Sequence, residues 1–571
     1  MATQARWLEA PRRQQAIADL PALVLIPILW FALELLVNPI GNFPTNDDWV
    51  YGLAVQSILR GHGFALPSPA TANVIAQAYW GALFCLPFGF SFTALRFSTL
   101  VLAVGGSFAT YGLTREGGGT RQLAWLAALT LMLNPIQLTL ANGFMTDVPF
   151  VSLTAGSLWL FARAQRPGKQ GLLGWALLLA LISVMVRQLG LIFVLAIGLA
   201  HVARERSPRS IMIALGGMLT GVVMHLWFQH WLLASGRTPL IVAGTFRDVA
   251  PAINMTFLQD LIGQAFQILP YIGWVAAPLY LATGFANLRR QLAAQSPLAL
   301  VLLLVLLADE VVLYWQDGPV MPDFGNVLMA SGVGPLTLRD TYLLGLNEPS
   351  VPPLLSLAWP VLLVLGTITG AAAITQAVLR IAAICAGLIR GQRDHAAPLD
   401  IAALVVILLY CAAVALIGVH LQAFDRYMIV LIPPFALLMA RLPLAGTGWQ
   451  MAAAFLLLGQ GGFAVCATHD YLAWQRGRQA ATQGLEAAGV RPTAIDGGYE
   501  YNGRHLYRSD YRPTPSKSYW WVQDDTYVVA SGPMPGYREI VRYPYTRWIG
   551  GTIAQVVTLR RNVLHAQSRE R

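Results

Sequence analysis

Apolar runs recur along most of this 571-residue chain, and at roughly 16–25 residues each could cross about 30 Å of hydrocarbon at ~1.5 Å per helical residue. They predict membrane helices at 20–38, 94–114, 122–141, 147–163, 172–186, 189–202, 210–233, 263–285, 297–315, 352–378, 400–421, 427–443 and 448–467, thirteen in all. The apolar segment 74–90 is interrupted by Gly81, Pro87 and Gly89 and reads as a juxtamembrane element. Counting it as a span would invert everything after it. The first run follows Arg12 and Arg13 but is too long for a signal peptide and has no small-residue cleavage site, so it reads as a retained helix. Beyond 467 the pattern changes: a helix-like stretch at 471–488 precedes short β-rich runs at 526–530 and 553–559, with Gly and Pro between them. The expected fold is an all-α polytopic membrane protein of about thirteen transmembrane helices with a small C-terminal α/β extramembrane domain. Its parts are an N-terminus 1–19, a transmembrane domain 20–467 with a long first outer loop 39–93, and the terminal domain 468–571.

Composition narrows the class. With 56% hydrophobic and 12% charged residues, the chain has about half the usual share of charge for a soluble protein. The net charge of +10 is spread between apolar runs, without the basic stripe and interleaved aromatics of a nucleic-acid surface. Counted by alternate loops, Lys and Arg divide seventeen to six, which by the positive-inside rule leaves the N-terminus in the cytoplasm and the tail outside. Arginine far outnumbers lysine, present only as Lys169 and Lys517, a bias of GC-rich bacterial genomes. The expected location is a bacterial inner membrane with the terminal domain in the periplasm. Cys85, Cys385, Cys411 and Cys466 show neither CxxC nor Cys/His spacing, so no disulfide framework or zinc site is expected.

Candidate chemistry gathers in the outer loops. Asp47 and Asp48, in Asn46-Asp47-Asp48-Trp49-Val50-Tyr51, are adjacent carboxylates at a membrane boundary. They call for a partner, whether acceptor hydroxyl, arginine or metal ion; a solvated turn capping the next helix is the plainer alternative. Asp147 lies in a second outer loop, Met145-Thr146-Asp147-Val148-Pro149-Phe150, where its plainer role is a helix cap. Two acids at one depth can deprotonate a hydroxyl or hold a divalent cation against a phosphate. Arg187, at a hairpin apex, and Arg426, in Asp425-Arg426-Tyr427 before Pro433-Pro434, suit phosphate oxygens through bidentate hydrogen bonds. An Asp425 salt bridge or interfacial snorkelling would equally explain Arg426. Asp309 and Glu310 near an outer helix end, and His62, His230 and His420 near the boundary, are weaker candidates.

The order of these motifs resembles the type C (GT-C) membrane glycosyltransferases, in the branch of lipid A aminoarabinose transferases and protein O-mannosyltransferases. Asp47-Asp48 with Tyr51 is similar to that family's acidic pair and tyrosine. Tyr79-Trp80, Pro87-Phe88-Gly89 and Ala94-Leu95-Arg96 resemble its aromatic pair, turn and helix-entering arginine. Met145 to Phe150 resembles its second acidic loop, and Arg426-Tyr427 with Pro433-Pro434 its late Arg-Tyr and proline helix. The resemblance covers most of 20–445, with two departures: Ala76-Gln77-Ala78 stands where the family has a basic residue, and the metal ligands of the aminoarabinose branch are not evident.

That resemblance implies inverting transfer from a polyprenyl-phosphate sugar to a lipid, glycan or protein acceptor on the outer face, with the bilayer as partner and no nucleic acid. Asp47 would be the catalytic base or the residue that orients the acceptor, Asp48 and Asp147 would assist, and Arg187, Arg426, Tyr427 and Tyr51 would bind substrate; a divalent metal ion stays open. A transporter or flippase of lipid-linked sugars, or a scaffold that binds them, is the alternative. A transporter would predict mid-helix charges and a pseudo-repeat. The aromatics Tyr499, Tyr501, Trp520 and Trp521 of the tail either stack on sugars or form its core.

Overall fold

The computed structural model describes residues 12–67, 70–237, 255–284, 304–308, 321–322, 325–390, 397–508, 510–512 and 520–562. Helices come first: α1 (Arg12–Val37), α2 (Asp48–Leu59), α3 (Ile75–Cys85), α4 (Phe92–Glu116), α5 (Arg121–Met132), α6 (Pro135–Ala141), α7 (Asp147–Ala164), α8 (Leu172–Val184), α9 (Gly190–Glu205), α10 (Pro208–Ala234) and α11 (Met255–Leu279). A two-strand hairpin, β1 (Leu328–Met329) and β2 (Gly332–Val333), precedes α12 (Pro353–Ile389), α13 (Ala397–His420), a 3-10 segment (Asp425–Leu431), α14 (Ile432–Met439) and α15 (Thr447–Ala487). The tail adds β3 (Ile495–Asp496), α16 (Tyr499–Leu506), β4 (Tyr527–Ala530), β5 (Tyr537–Thr546) and β6 (Ile553–Arg561).

Among the described residues seven helices are long and apolar enough to cross a membrane, or eight if the bent pair α5 and α6 is one span. Exposed apolar side chains such as Leu35, Leu215, Leu354 and Phe455 cover their outer faces, as expected where lipid is the solvent. This is a multi-pass membrane protein with a small terminal sheet. The predicted helix 297–315, apart from 304–308, lies outside the described residues, and Asp309 and Glu310 with it.

Three predicted helices take a different form. The run 122–141 is bent by 60° between α5 and α6: Pro135 has no N–H to continue the ladder, and the Asn134 side chain accepts the Ile136 and Gln137 N–H groups at 3.0 and 3.3 Å. The run 427–443 begins as the 3-10 turn, because Pro433 and Pro434 cannot donate and so suit only the first turn of α14. The run 448–467 and the helix-like stretch 471–488 are one helix, α15, of 41 residues, roughly 60 Å long and about twice the hydrocarbon thickness.

Antiparallel succession of the helices separates two ends. At one, Arg115 closing α4 pairs with Asp19 of α1 at 3.2 Å, Arg166 beyond α7 pairs with Glu116, and Arg441 beyond α14 pairs with Asp400 opening α13 at 2.7 Å. Asp47, Asp147, Arg187 and Arg426 occupy the other end. There α15 continues out of the bundle as a base for the tail sheet, of strand order β3-β4-β6-β5, with β3 and β4 parallel and the other pairs antiparallel. Asp470 of α15 accepts the N–H groups of Trp548 and Ile549 at 2.7 and 2.9 Å, which fastens the β5–β6 connection to the helix.

Helices α11 and α12 pack closely through glycines. Cβ atoms at Gly273, Gly366 or Gly370 would each meet main-chain atoms of the facing helix, the small-residue contact that lets helices associate in lipid. Gly366→Val should therefore destabilise the protein by about 1–3 kcal/mol through overpacking, seen as a lower midpoint of thermal unfolding in detergent. Gly462→Ala, at a position open on all sides, should leave that midpoint unchanged.

Candidate active site

The site is built from four loops at one end of the bundle. After α1 the chain runs irregularly to Asn46, which adopts a left-handed conformation (φ 49°) and turns Asp47 and Asp48 into the start of α2. Irregular backbone at a membrane boundary needs internal hydrogen-bond partners. Arg96 supplies several: its guanidinium, 1% exposed, donates to the carbonyls of Asn142 at 2.6 Å, of Gly41 and Phe43 at 3.2 Å each, and of Pro39. The arginine singled out at the start of α4 thus ties the two acidic loops together. Gln77 donates to the Phe144 carbonyl at 2.6 Å and seats α3 under the second loop.

Asp48 belongs to this framework. Its carboxylate is buried and accepts the Thr45 N–H (3.1 Å), the Thr45 hydroxyl (2.7 Å) and the Phe144 N–H (2.8 Å). Burial pushes its pKa up to about 6 against the pull of those donors and of Arg96. Both oxygens are occupied in holding the first loop against the second.

Asp47, its neighbour, points the other way. Its side chain is 28% exposed, Oδ2 stands 3.8 Å from Arg426 Nη2, and Oδ1 accepts the Tyr499 hydroxyl at 2.9 Å. Burial pushes the Asp47 carboxyl above the usual carboxylate range, and Glu500 and Asp147 add to the rise, while Arg426 and Tyr499 oppose it.

Asp147 is the first residue of α7, where the helix dipole favours an anion. It is fully buried between two arginines, with Arg187 Nη2 at 2.8 Å and Arg426 Nε at 4.0 Å. Arg187, in the turn between α8 and α9, also donates to the Thr146 hydroxyl at 2.7 Å. Arg426 is carried by a different device from the Asp425 ion pair considered above: the Asp425 carboxylate accepts main-chain N–H groups, of Arg426 and Leu328 at 2.7 Å and of Val327 at 3.2 Å. The carboxylate thereby orders the 3-10 turn and leaves the guanidinium to the site. Burial lowers the pKa of both arginines, and the Asp147 carboxylate together with Tyr427 and Tyr410 around Arg187, and with Tyr427, Asp47 and Tyr51 around Arg426, more than reverses that; both are held as cations.

Tyr427 lies between the guanidinium groups, its ring centroid 5.2 Å from Arg187 and 5.9 Å from Arg426. Tyr51 is buried within the field of Asp47, Arg426, Arg187 and Asp147, and burial raises its phenol well above the ordinary value. The structure thus brings Asp47, Asp147, Arg187, Arg426, Tyr427 and Tyr51 together and turns Asp48 into the scaffold behind them. Sequence reading missed Tyr410, fully buried within reach of Arg187 and Asp147 with no hydrogen-bond partner for its hydroxyl among the described residues, because a tyrosine in an apolar helix reads as core. It named Tyr499 only as a tail aromatic, without its contact to Asp47, and missed Glu500, which lies far along the chain. Tail aromatics pack over the acidic loop: Trp521 lies 5.3 Å edge-on from Trp49, and Trp520 lies 5.8 Å from Tyr499. Tyr501 instead donates to Glu486 at 2.6 Å.

Among the described residues no three His, Cys, Asp or Glu side chains converge as a metal site. The cation between Asp47 and Asp147 is the Arg426 guanidinium, a poor fit to a metal between these acids, and no step below uses one. His420 stacks on Phe257 at 5.9 Å, the His62 carbonyl accepts from Arg237, and His230 faces outward.

The sequence matches no protein-family model and no curated protein. Among solved structures the chain is similar to ArnT from Cupriavidus metallidurans bound to undecaprenyl phosphate, at 14% identity over 95% of this chain and 99% of that one, TM-score 0.44. The apo state of that protein is similar at 14% identity over 84% and 82% of the two chains, TM-score 0.36. An oligosaccharyltransferase from Archaeoglobus fulgidus, tethered with an acceptor peptide, is similar at 14% identity over 82% of this chain and 59% of that one, TM-score 0.37.

The two adjacent acids should separate by stability. Asp48→Ala leaves the Thr45 N–H, the Thr45 hydroxyl and the Phe144 N–H without their acceptor and should cost about 3 kcal/mol or more at ~1–3 kcal/mol per buried group. Asp47→Ala, at a partly open position, should cost less than about 1 kcal/mol. Thermal unfolding of the two variants in detergent checks the contrast.

Proposed function

We propose that the protein is a membrane glycosyltransferase that moves a sugar from a polyprenyl-phosphate donor to a hydroxyl-bearing acceptor, with inversion at the anomeric carbon. The observation that carries this reading is the state of Arg426: buried, held as a cation, aligned between two carboxylates, and with Nε and Nη1 making no hydrogen bond among the described residues. Buried donors without acceptors are costly, and a phosphate oxygen is the acceptor a guanidinium fits best.

In this reading Asp47 is the general base. It is the open acid of the set, raised toward neutrality, and it takes the acceptor hydroxyl proton as the acceptor oxygen bonds to the anomeric carbon. On the far side the bond from that carbon to the phosphate oxygen breaks. The leaving polyprenyl phosphate keeps the electron pair, and Arg426 with Arg187 meets the added negative charge. Asp147, sealed between the arginines, orients both and balances their charge; Tyr427 keeps the two guanidinium planes apart. Asp48 positions the loop that bears the base. A site at the end of the bundle lets the prenyl chain stay in lipid while phosphate and sugar enter. We assign this face to the periplasm of a bacterial inner membrane, on the Lys and Arg distribution among the loops.

The test is transfer of radiolabelled sugar from a panel of polyprenyl-phosphate sugars to membrane extracts. Wild type should transfer, Asp47→Asn should lose at least about 100-fold, and Arg426→Lys, which keeps the charge but loses the fork, at least about tenfold. Undiminished transfer by Asp47→Asn would remove Asp47 as base, and no transfer by wild type with any donor would sink the reading.

A further inference from the structure

We infer that the extramembrane tail completes the site, with Tyr499 as a positioning residue for Asp47 and Glu500 as the anchor that places it. The inference rests on the reading of Asp47 as the base, and adds to it a part of the chain that the membrane motifs do not contain.

The geometry is a clasp. Glu500 is fully buried; Oε1 accepts the Asn46 N–H at 3.0 Å, and Oε2 accepts from the Thr337 hydroxyl and from Arg478 Nη1. Arg478 Nη2 reaches the Pro44 carbonyl at 3.3 Å, so an ion pair between α15 and α16 grips the first acidic loop at two points. There the chain turns through left-handed Asn46, a conformation that single Asn residues can adopt and that persists where surroundings over-determine it. Asp47 follows directly. Its aim therefore depends on a carboxylate 454 positions away.

Tyr499 is set by the same clasp. Gly498 takes φ +85°, and a Cβ there would strike the Thr337 carbonyl; this lets the Tyr499 N–H donate to that carbonyl at 3.0 Å. The ring is held edge-on by Trp49 at 5.8 Å and faced by Trp521 at 6.0 Å, and its hydroxyl ends 2.9 Å from Asp47 Oδ1. One oxygen of Asp47 is thus occupied, which leaves Oδ2, on the Arg426 side, for an acceptor. A phenol donating to a carboxylate also favours its charged form. The charged and titratable groups facing Asp47 are Arg426 from the 3-10 turn, Asp147 from α7, Tyr51 from α2, and Tyr499 and Glu500 from α16. Of these Arg426 and Tyr499 oppose the burial and the two acids that disfavour the base form.

The experiment is an infrared titration of the Asp47 carboxyl in the full chain in lipid nanodiscs, isolated as the difference from Asp47→Asn, with no donor or acceptor present. Tyr499→Phe keeps the ring and its packing, and should raise the protonation midpoint of Asp47 by about one pH unit, the scale of a lost charge-assisted hydrogen bond. Placing 3-fluorotyrosine, a stronger donor, at position 499 should shift the midpoint the opposite way, which a merely structural role would not produce. Tyr501→Phe, which loses a bond to Glu486 instead, should leave it in place. A midpoint unmoved by both changes at 499 overturns the inference, even if wild type transfers sugar and Asp47→Asn does not. Shifts of the expected signs uphold it, even if no donor is ever used and the glycosyltransferase reading fails. If Tyr499→Phe melts early, the 3-fluorotyrosine protein, isosteric to within one atom, decides alone.

Discussion

The alternation Asp47, Arg426, Asp147, Arg187 is the constraint around which the outer end of this protein is arranged. Four charges are withdrawn from water at a membrane boundary, where an unpaired ion costs several kcal/mol. They are tolerable because they alternate: Asp147 is 2.8 Å from Arg187 and 4.0 Å from Arg426, and Arg426 is 3.8 Å from Asp47. Replacing Asp147 would leave two buried guanidinium groups short of their shared carboxylate, whereas Arg426 keeps Asp147 when the partly open Asp47 is replaced. The row is formally neutral, so it gains a net positive charge only when Asp47 is protonated or displaced. A phosphate entering beside Arg426 and a proton arriving on Asp47 are then electrostatically coupled, which is the coupling the proposed transfer needs.

Keeping that row straight falls to residues that never join it. The four loops carrying it have little regular hydrogen bonding of their own, and buried side chains take the place of secondary structure: Arg96 on four carbonyls, Asp48 on three donors, Asp425 on the main chain of a segment about a hundred positions earlier. Of the acids in these loops, Asp48 spends its oxygens on the Thr45 and Phe144 donors and Asp425 on main-chain N–H groups, while Asp47 keeps one oxygen toward Arg426. Such saturation makes the loops stiff, and preorganised charge is worth more than charge that must reorient.

How much of this was legible from sequence depends on how local each cause is. Membrane helices follow from runs of apolar side chains, so α4, α10 and α13 could be read closely at both ends, while α1 begins before and α12 runs on past the predicted apolar stretch. Asp47, Asp147, Arg187 and Arg426 were conspicuous as charges at the ends of apolar runs, and their convergence follows once helix directions alternate. The bend at Pro135 was locally written in Asn134-Pro135 but masked by continuous apolarity. Nothing local distinguishes Asp48 from Asp47, because the difference lies in a Phe144 N–H in another loop. Nor does anything near Tyr499 announce that it meets a residue 452 positions earlier. The helix beyond 467 was read as a separate stretch at 471–488; its continuity with the apolar run was missed for a related reason, since beyond 467 its support comes from the sheet.

Exposure decides how the two site acids divide their work. Asp147, with no access to solvent, faces a cation on each oxygen and acts as the counterion of both guanidinium groups. Asp47, a quarter open, has one cation at a longer distance and a neutral phenol on its other oxygen. Arg426 would stay paired with Asp147 if Asp47 lost its charge. In the proposed reading acid–base work therefore falls to Asp47 because its surroundings are asymmetric, and the tail domain, through Tyr499, is part of that asymmetry.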